Sequence, residues 1–292
     1  MRVLVIGSNG QVGQCLVEQL QSTSGIELLA VDRSDVDITK QSDVSDIVDR
    51  FVPNVIFNAG AYTAVDLAED NEDLAYAVNS DGPLHLAIAA KKADAILLHI
   101  STDYVFSGEQ QTPYREDDET GPSSVYGESK LAGELAVRNT CDKHIILRTA
   151  WVFSEYGNNF VKTMLKLGQS HDSLRIVGDQ YGGPTYAGDI AKVLILLANK
   201  LHRNEVDCGT YHYSGGPHVS WFEFAQKIFL QANHQGVLKT VPDLTEVTTE
   251  EYKTKAIRPK YSKLNVDKLS NALGIDASDW QSALNNMSRY ID

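Results

Sequence analysis

Basic residues are in deficit in this 292-residue chain: 26 Lys and Arg stand against 39 Asp and Glu, a formal net charge of −13. That balance excludes nucleic acid and anionic membranes as principal partners, because both are held by clustered cations. An anionic small ligand stays open, since a helix N-terminus and a few local cations can hold one. Cysteine is scarce as well. Cys15, Cys141 and Cys208 are far apart and show no CxxC or metal-ligand spacing, so they read as free thiols of a reducing compartment. His85, His99, His144, His171, His212 and His218 are too dispersed to form a ligand set and read as surface or satisfied core residues. No run of about 18 apolar residues is present to span a bilayer. The apolar start MRVLVIG is too short, and too soon broken by glycine, for a secretion signal. The cytoplasm is the expected location.

What is present is an ordinary globular composition, 42% hydrophobic and 22% charged, long enough to bury a full core. Short apolar runs alternate with longer amphipathic ones, the signature of parallel βαβ architecture. Strands are predicted at 3–6, 27–31, 54–58, 95–100 and 144–148, with helices at 11–20, 43–51, 70–91 and 124–139. The predicted fold is a Rossmann-like, doubly wound parallel sheet with a smaller C-terminal part. Beyond Trp151 the alternation loosens. Helices are expected at 158–169, 187–200, 221–232, 266–273 and 280–290, a short strand at 210–213, and loop throughout 240–264. The domain reading is 1–151 for the dinucleotide, with segments near 172–200 adding to it, and 152–292 mainly for the substrate.

Three features carry chemistry. Gly7-Ser8-Asn9-Gly10-Gln11-Val12-Gly13 follows an apolar strand and opens a helix, where glycines let the backbone approach a pyrophosphate at the positive helix end. Asp32, closing the second strand, is placed to accept from an adenosine ribose. It disfavours a 2′-phosphate, whereas the adjacent Arg33 would hold one, so NADH and NADPH both stay open. Tyr126 and Lys130, four residues apart, share one helix face. A phenol ordinarily titrates near 10, and a neighbouring ammonium is expected to lower it, making proton exchange with a substrate oxygen feasible. After the fourth strand, Ser101 and Thr102 compete to supply a hydroxyl to the same oxygen. Strand alternation sends one of them to the core, and Thr102 is the choice.

Together these residues resemble the extended short-chain dehydrogenase/reductases. Within them, the chain is similar to the dTDP-4-dehydrorhamnose reductases over nearly its whole length. The likeness rests on GSNGQVG, the run Asn58 to Asp66, STDYVFSG at 101–108, VYGESKLAGE at 125–134, Arg148 to Phe153, GNNFVKTML at 157–165, Asp179 to Thr185, Arg258-Pro259 and Ser262-Lys263-Leu264. It implies Thr102, Tyr126 and Lys130 as the catalytic set, with Tyr126 and Lys130 also touching the cofactor. Gly10, Gln11 and Val12 would meet the pyrophosphate, Asp32 the adenosine side, and Asp37 and Ile38 the adenine region. Ala61, Tyr62 and Thr63 would line the nicotinamide half. Thr102, Asp103 and Trp151 would touch the sugar, Trp151 having core packing as its alternative role. Asn79 resembles an asparagine that supports a proton relay in relatives; a solvated helix face or a helix-bending residue is the competing reading.

The implied reaction is reduction, by NADH or NADPH, of the C4 keto group of dTDP-4-dehydro-6-deoxy-L-mannose. Some members of this family dimerise through magnesium held by glutamates. The corresponding positions here are Cys15 and Gly188, which supply no carboxylate. No metal is therefore expected, and monomer and homodimer both remain. Competing readings are another nucleotide-sugar ketoreductase, an epimerase, or a dehydratase using Asp103. A non-catalytic, cofactor-binding subunit like that of methionine adenosyltransferase is a further class.

Overall fold

A computed structural model describes residues 1–291. In chain order the first half runs β1 (Arg2–Ile6), α1 (Gln11–Gln21), β2 (Glu27–Val31), α2 (Gln41–Phe51) and β3 (Val55–Asn58). It continues through α3 (Val65–Ala68), α4 (Glu72–Tyr76), a π-turn (Ala77–Asp81), α5 (Gly82–Lys92), β4 (Ile96–Thr102), a 3₁₀ turn (Asp103–Val105), α6 (Val125–Thr140) and β5 (His144–Thr149). The second half holds β6 (Val152–Phe153), α7 (Phe160–Ser170), β7 (Ser173–Val177), β8 (Tyr181–Gly182), β9 (Thr185–Tyr186), α8 (Ala187–His202) and β10 (Gly209–His212). It ends with β11 (Val219–Ser220), α9 (Trp221–His234), β12 (Asp243–Val247), β13 (Tyr261–Ser262), α10 (Asp267–Leu273), α11 (Trp280–Ala283) and a 3₁₀ turn (Met287–Tyr290).

Six parallel strands form the main sheet in the order β10-β5-β4-β3-β1-β2. Both faces are covered, which is why β1 and β3 and the first part of β4 are apolar runs instead of alternating. Val3, Val5, Val55, Phe57, Leu98 and Leu147 turn to one face, against α1 and α8. Leu4, Ile6, Ile56, Leu97 and Ile146 turn to the other, against α2, α5 and α6. A separate core gathers Phe153, Met164, Ile176, Phe224, Phe229, Trp280 and Met287 beneath α7 and α9. The strand order reverses direction at β1 and β3, and such a switch point opens a ligand crevice at the carboxyl ends of the strands.

Four expectations change. The helix over 70–91 is broken by the π-turn. Pro83 lies in the first turn of α5, and its ring would clash in an α-helix with the carbonyl of Asn79 four residues back. The wider turn relieves that, with Gly82 N–H bonding to Ala77 O. Residues 240–264 are not all loop: β12 pairs with β7, and β13 with β8. Those strands escaped notice because β12 buries little beyond Val247. The helix over 280–290 is two short turns, the Asn285 N–H closing a tight bond to Ser282 O. Of the segments near 172–200, α8 covers the main sheet, but β7 lies in a two-stranded sheet outside it, while β10 is the later segment that joins it.

Candidate active site

The crevice over β1 and β3 is a cavity of about 900 Å³ lined by Gly7, Gly10, Asp32, Arg33, Asp37, Ile38, Ala61 and Tyr62, among others. Gly7 has φ 76°, and a Cβ there would lie 2.5 Å from Gly60 N. A side chain is thus barred at the turn. Gly13 serves α1 in a different way, since its Cβ would lie 2.1 Å from Gly7 O, so it permits helix-to-loop contact and does not face the cavity. Val12 is buried in the core. Gly10 caps α1 without a side chain, and no acid occupies the first turn. Gly10 lines the cavity, so the N-terminus of α1 adjoins it with no side-chain anion of that turn competing for a ligand. A pyrophosphate fits this cradle.

Several of the residues expected at the crevice also bond to protein neighbours. Gln11 turns toward the second half, its Oε1 accepting from Ser154 Oγ at 3.1 Å and from Asn159 Nδ2 at 3.0 Å. Asp32 Oδ1 accepts from Ser34 N and Oγ, both at 2.7 Å, and Oδ2 from Asn9 Nδ2. Those Ser34 bonds hold its carboxyl below the usual range. Asp37 folds onto Thr39 in the same way, at 2.7 Å to Oγ1. Thr63 is exposed beyond the cavity lining.

Asn79 is buried in the π-turn, not on a solvated face. Its Oδ1 accepts from Tyr62 N at 2.8 Å, and its Nδ2 donates to Tyr62 O at 3.0 Å and Ser129 Oγ at 3.1 Å. One side chain thereby ties the inner end of the cavity to α6. That helix begins at Ser124, whose Oγ accepts from Gly127 N at 3.2 Å. Two glycines let α6 sit close: a Cβ on Gly127 would lie 2.3 Å from Tyr104 O, and one on Gly133 would lie 2.0 Å from Asn79 O. Neither role was read from the VYGESKLAGE run, although both glycines stand in it. A buried pair behind α6, Arg148 to Glu134 at 2.8 and 2.7 Å, anchors it to β5.

Tyr126 is brought against Thr102 side chain to side chain. Thr102 Oγ1 donates to Asp103 Oδ1 at 3.0 Å and accepts from Tyr104 N at 3.2 Å. Ser101 is buried with its hydroxyl unpartnered among the described residues. Burial pushes the Tyr126 phenol up to about 12, the Thr102 hydroxyl opposing and Asp103 adding to the rise. This reverses the expected lowering by Lys130. The ammonium instead donates to Ile100 O at 2.7 Å, and burial brings Lys130 down to about 8, with Glu134 opposing. Both groups hold their protons at neutral pH, as a proton donor requires. Burial raises Asp103 to about 6, with the Ser262 and Thr102 hydroxyls opposing. The Ser262 contact was outside the sequence reading.

Beneath these residues, Asn58 accepts from Gly60 N at 3.2 Å and meets His99 Nδ1 at 3.0 Å. His99 Nε2 and His144 Nε2 have no partner among the described residues, so these two histidines are not fully satisfied. Trp151, soon after β5, is half-buried with φ 48°. Among the described residues, no three or more His, Cys, Asp or Glu side chains are grouped to hold a metal ion.

With this geometry in place, similarity to known proteins decides the family. The description "RmlD substrate binding domain" matches residues 1–291. The chain belongs to the dTDP-4-dehydrorhamnose reductase family. It is 49% identical to the dTDP-4-dehydrorhamnose reductase of Aggregatibacter actinomycetemcomitans, over 100% of this chain and 99% of that one. It is 41% identical to the reductase of Sinorhizobium fredii, covering 96% and 94%. Among solved structures, the Clostridium acetobutylicum reductase superposes with a TM-score of 0.91 at 39% identity, covering 99% and 98%. The Bacillus anthracis reductase, solved with NADP, gives 0.91 at 38% identity, covering 98% of each chain. The family is one of oxidoreductases on a Rossmann-like sheet, in agreement with the motif resemblance. No helix among the described residues is long and apolar enough to cross a membrane.

Proposed function

We propose that this chain catalyses the NAD(P)H-dependent reduction of the C4 keto group of dTDP-4-dehydro-6-deoxy-L-mannose, giving dTDP-L-rhamnose. The observation that carries the reading is the meeting of Tyr126 and Thr102 at the carboxyl end of β4, on the helix that Asn79 ties to the nucleotide crevice. A reduced nicotinamide dinucleotide, when bound, supplies the hydride. Gly7 and Gly10 give its phosphates access to the N-terminus of α1, while Asp32, Asp37 and Ile38 lie toward its adenosine. Ala61 and Tyr62 bound the other end.

At the reacting carbonyl, Thr102 turns its one hydroxyl hydrogen from Asp103 to the substrate oxygen and polarises it as negative charge develops. Tyr126 transfers its phenolic proton to that oxygen. Lys130, held on Ile100 O in the free protein, would stabilise the phenolate left behind only once it turns from that carbonyl toward Tyr126. Asp103 and Trp151 bound the sugar. The domain division that goes with this is residues 1–151, completed by α8 and β10, for the dinucleotide, and most of 152–292 for the sugar nucleotide. The working enzyme is a cytoplasmic monomer or homodimer that binds no nucleic acid.

A coupled assay from dTDP-glucose, with an upstream dehydratase and epimerase, tests the reaction. The expected result is stoichiometric oxidation of NADH or NADPH and formation of dTDP-L-rhamnose. Tyr126→Phe is expected to lose at least a hundredfold in kcat, the ordinary size of a positioned proton donor. Normal turnover by that variant would sink the mechanism, and turnover without net cofactor oxidation would mark an epimerase.

A further inference from the structure

Of the three tryptophans, two are stacked on each other. The Trp151 and Trp221 ring centroids lie 3.5 Å apart with planes 10° from parallel. Indoles left to themselves prefer offset or edge-to-face contact, so the surroundings impose this sandwich. Trp151 is held by Trp221 on one face and by β8 backbone at its Cε2, Nε1 and Cζ2 atoms. A Cβ on Gly182 would lie 2.5 Å from Trp151 Cε2, so bare β8 backbone closes on the indole. Its φ of 48° belongs to the left-handed region, which is unfavourable for a bulky side chain and marks a posture imposed by packing. Trp221 opens α9 and is fixed by the Ser220–Glu223 capping box, with Phe160 at 4.6 Å.

The third tryptophan behaves as core residues do. Trp280 is buried and donates Nε1 to Pro217 O at 2.9 Å. Among the described residues, the indole N–H groups of Trp151 and Trp221 have no acceptor. Trp151 also packs against the small core cluster that contains Val105 and Phe106, which closely follow Thr102 and Asp103. An indole clamped beside that cluster, with its donor unused, offers an apolar face and one hydrogen bond. A deoxy sugar presents a methyl group and hydroxyl oxygens that match both.

We infer that Trp221 is a positioning residue for the sugar: stacked behind Trp151, it holds that indole in the orientation that meets the sugar ring. This rests on the reductase reading above. Because it acts through Trp151, Trp221 matters for the sugar and not for the nucleotide. Titration calorimetry with dTDP and with dTDP-L-rhamnose separates the two.

Trp221→Ala is expected to weaken dTDP-L-rhamnose binding about tenfold, leave dTDP unchanged, and raise KM far more than it lowers kcat. Trp221→Phe, which keeps an aromatic platform and guards against misfolding, is expected to lose only a few-fold. In a double-mutant cycle, Trp221→Ala added to Trp151→Ala is expected to cost nothing further. Unchanged sugar-nucleotide binding by Trp221→Ala in an active enzyme would overturn the inference alone. So would equal losses for dTDP and dTDP-L-rhamnose, or additive losses in the cycle. An unaltered chain that neither reduces the keto sugar nor binds dTDP-L-rhamnose would overturn the reductase reading and this inference together.

Discussion

The buried charges beside the reacting atoms set both activity and stability. Asp103 is buried, with Oδ2 unpartnered among the described residues and its carboxyl raised to about 6. A carboxyl raised above its unfolded value of 3.8 binds its proton more tightly in the native state. The associated stability is therefore complete below the unfolded value and lost as pH rises through about 6. Asp103→Asn keeps the acceptor for Thr102 and removes the buried charge. At pH 7.5 the variant is expected to be more stable than the parent by about 2 kcal/mol, with the gap closing at pH 4, as denaturant unfolding at the two pH values would show. A variant equally or less stable at pH 7.5 would show that the charge is compensated. Lys130 titrates in the opposite sense. Lowered to about 8, it loses its charge early in the free enzyme, so kcat/KM is expected to fall on the basic side near pH 8. Lys130→Arg, which cannot titrate there, is expected to abolish that limb while lowering the plateau. A limb unmoved by the substitution would assign it elsewhere.

Elements impose tighter demands than single side chains, and α6 shows why. The closest approach is Gly133 against the π-turn, where a Cβ would lie 2.0 Å from Asn79 O. Gly133→Ala pushes Asn79 away from Tyr62 and Ser129. The expected cost is about 2 kcal/mol of stability, within the range of core overpacking, together with weaker dinucleotide binding measured by fluorescence titration. An alanine variant of normal stability and affinity would mean that the π-turn does not position the cavity.

These demands explain which parts of the site were legible in the sequence. The glycine loop and the Tyr126–Lys130 pair are local, because turn chemistry and a four-residue helix spacing place them. The π-turn is not local, since it follows from Pro83 meeting a carbonyl four residues back while α6 presses from outside. The phenol's direction of shift depends on burial and on Lys130 reaching a strand carbonyl instead of Tyr126. Spacing along a helix reports neither. Trp221 and Ser262 stand far downstream of Trp151 and Asp103, and the patterning of their own elements says nothing of tertiary partners, so only the fold brings them together.

At the scale of the whole molecule, polar links cross the cleft in addition to the core that α8, β10 and Leu264 share with the first half. Gln11 reaches Ser154 and Asn159 from the glycine loop. On the other side, Asp66 accepts from Ala256 N at 3.1 Å and pairs with Arg258 at 2.8 Å, while Asp70 pairs with Lys255. The segment 255–258 thus crosses from the C-terminal part onto α3 and the turn that follows it. Such half-exposed pairs contribute little to global stability, about 1 kcal/mol or less, and they weaken with added salt. Their effect is expected instead on the geometry of the cleft, where a small loss of alignment costs binding. Asp66→Asn keeps the Ala256 bond and removes the charge facing Arg258. We expect a nearly unchanged melting temperature, a KM for the keto sugar raised about threefold in low salt, and a KM that no longer climbs between 50 and 500 mM NaCl, as set by the screening of a single exposed pair. A KM that keeps the parent's salt response would show that the strap is closed by packing alone.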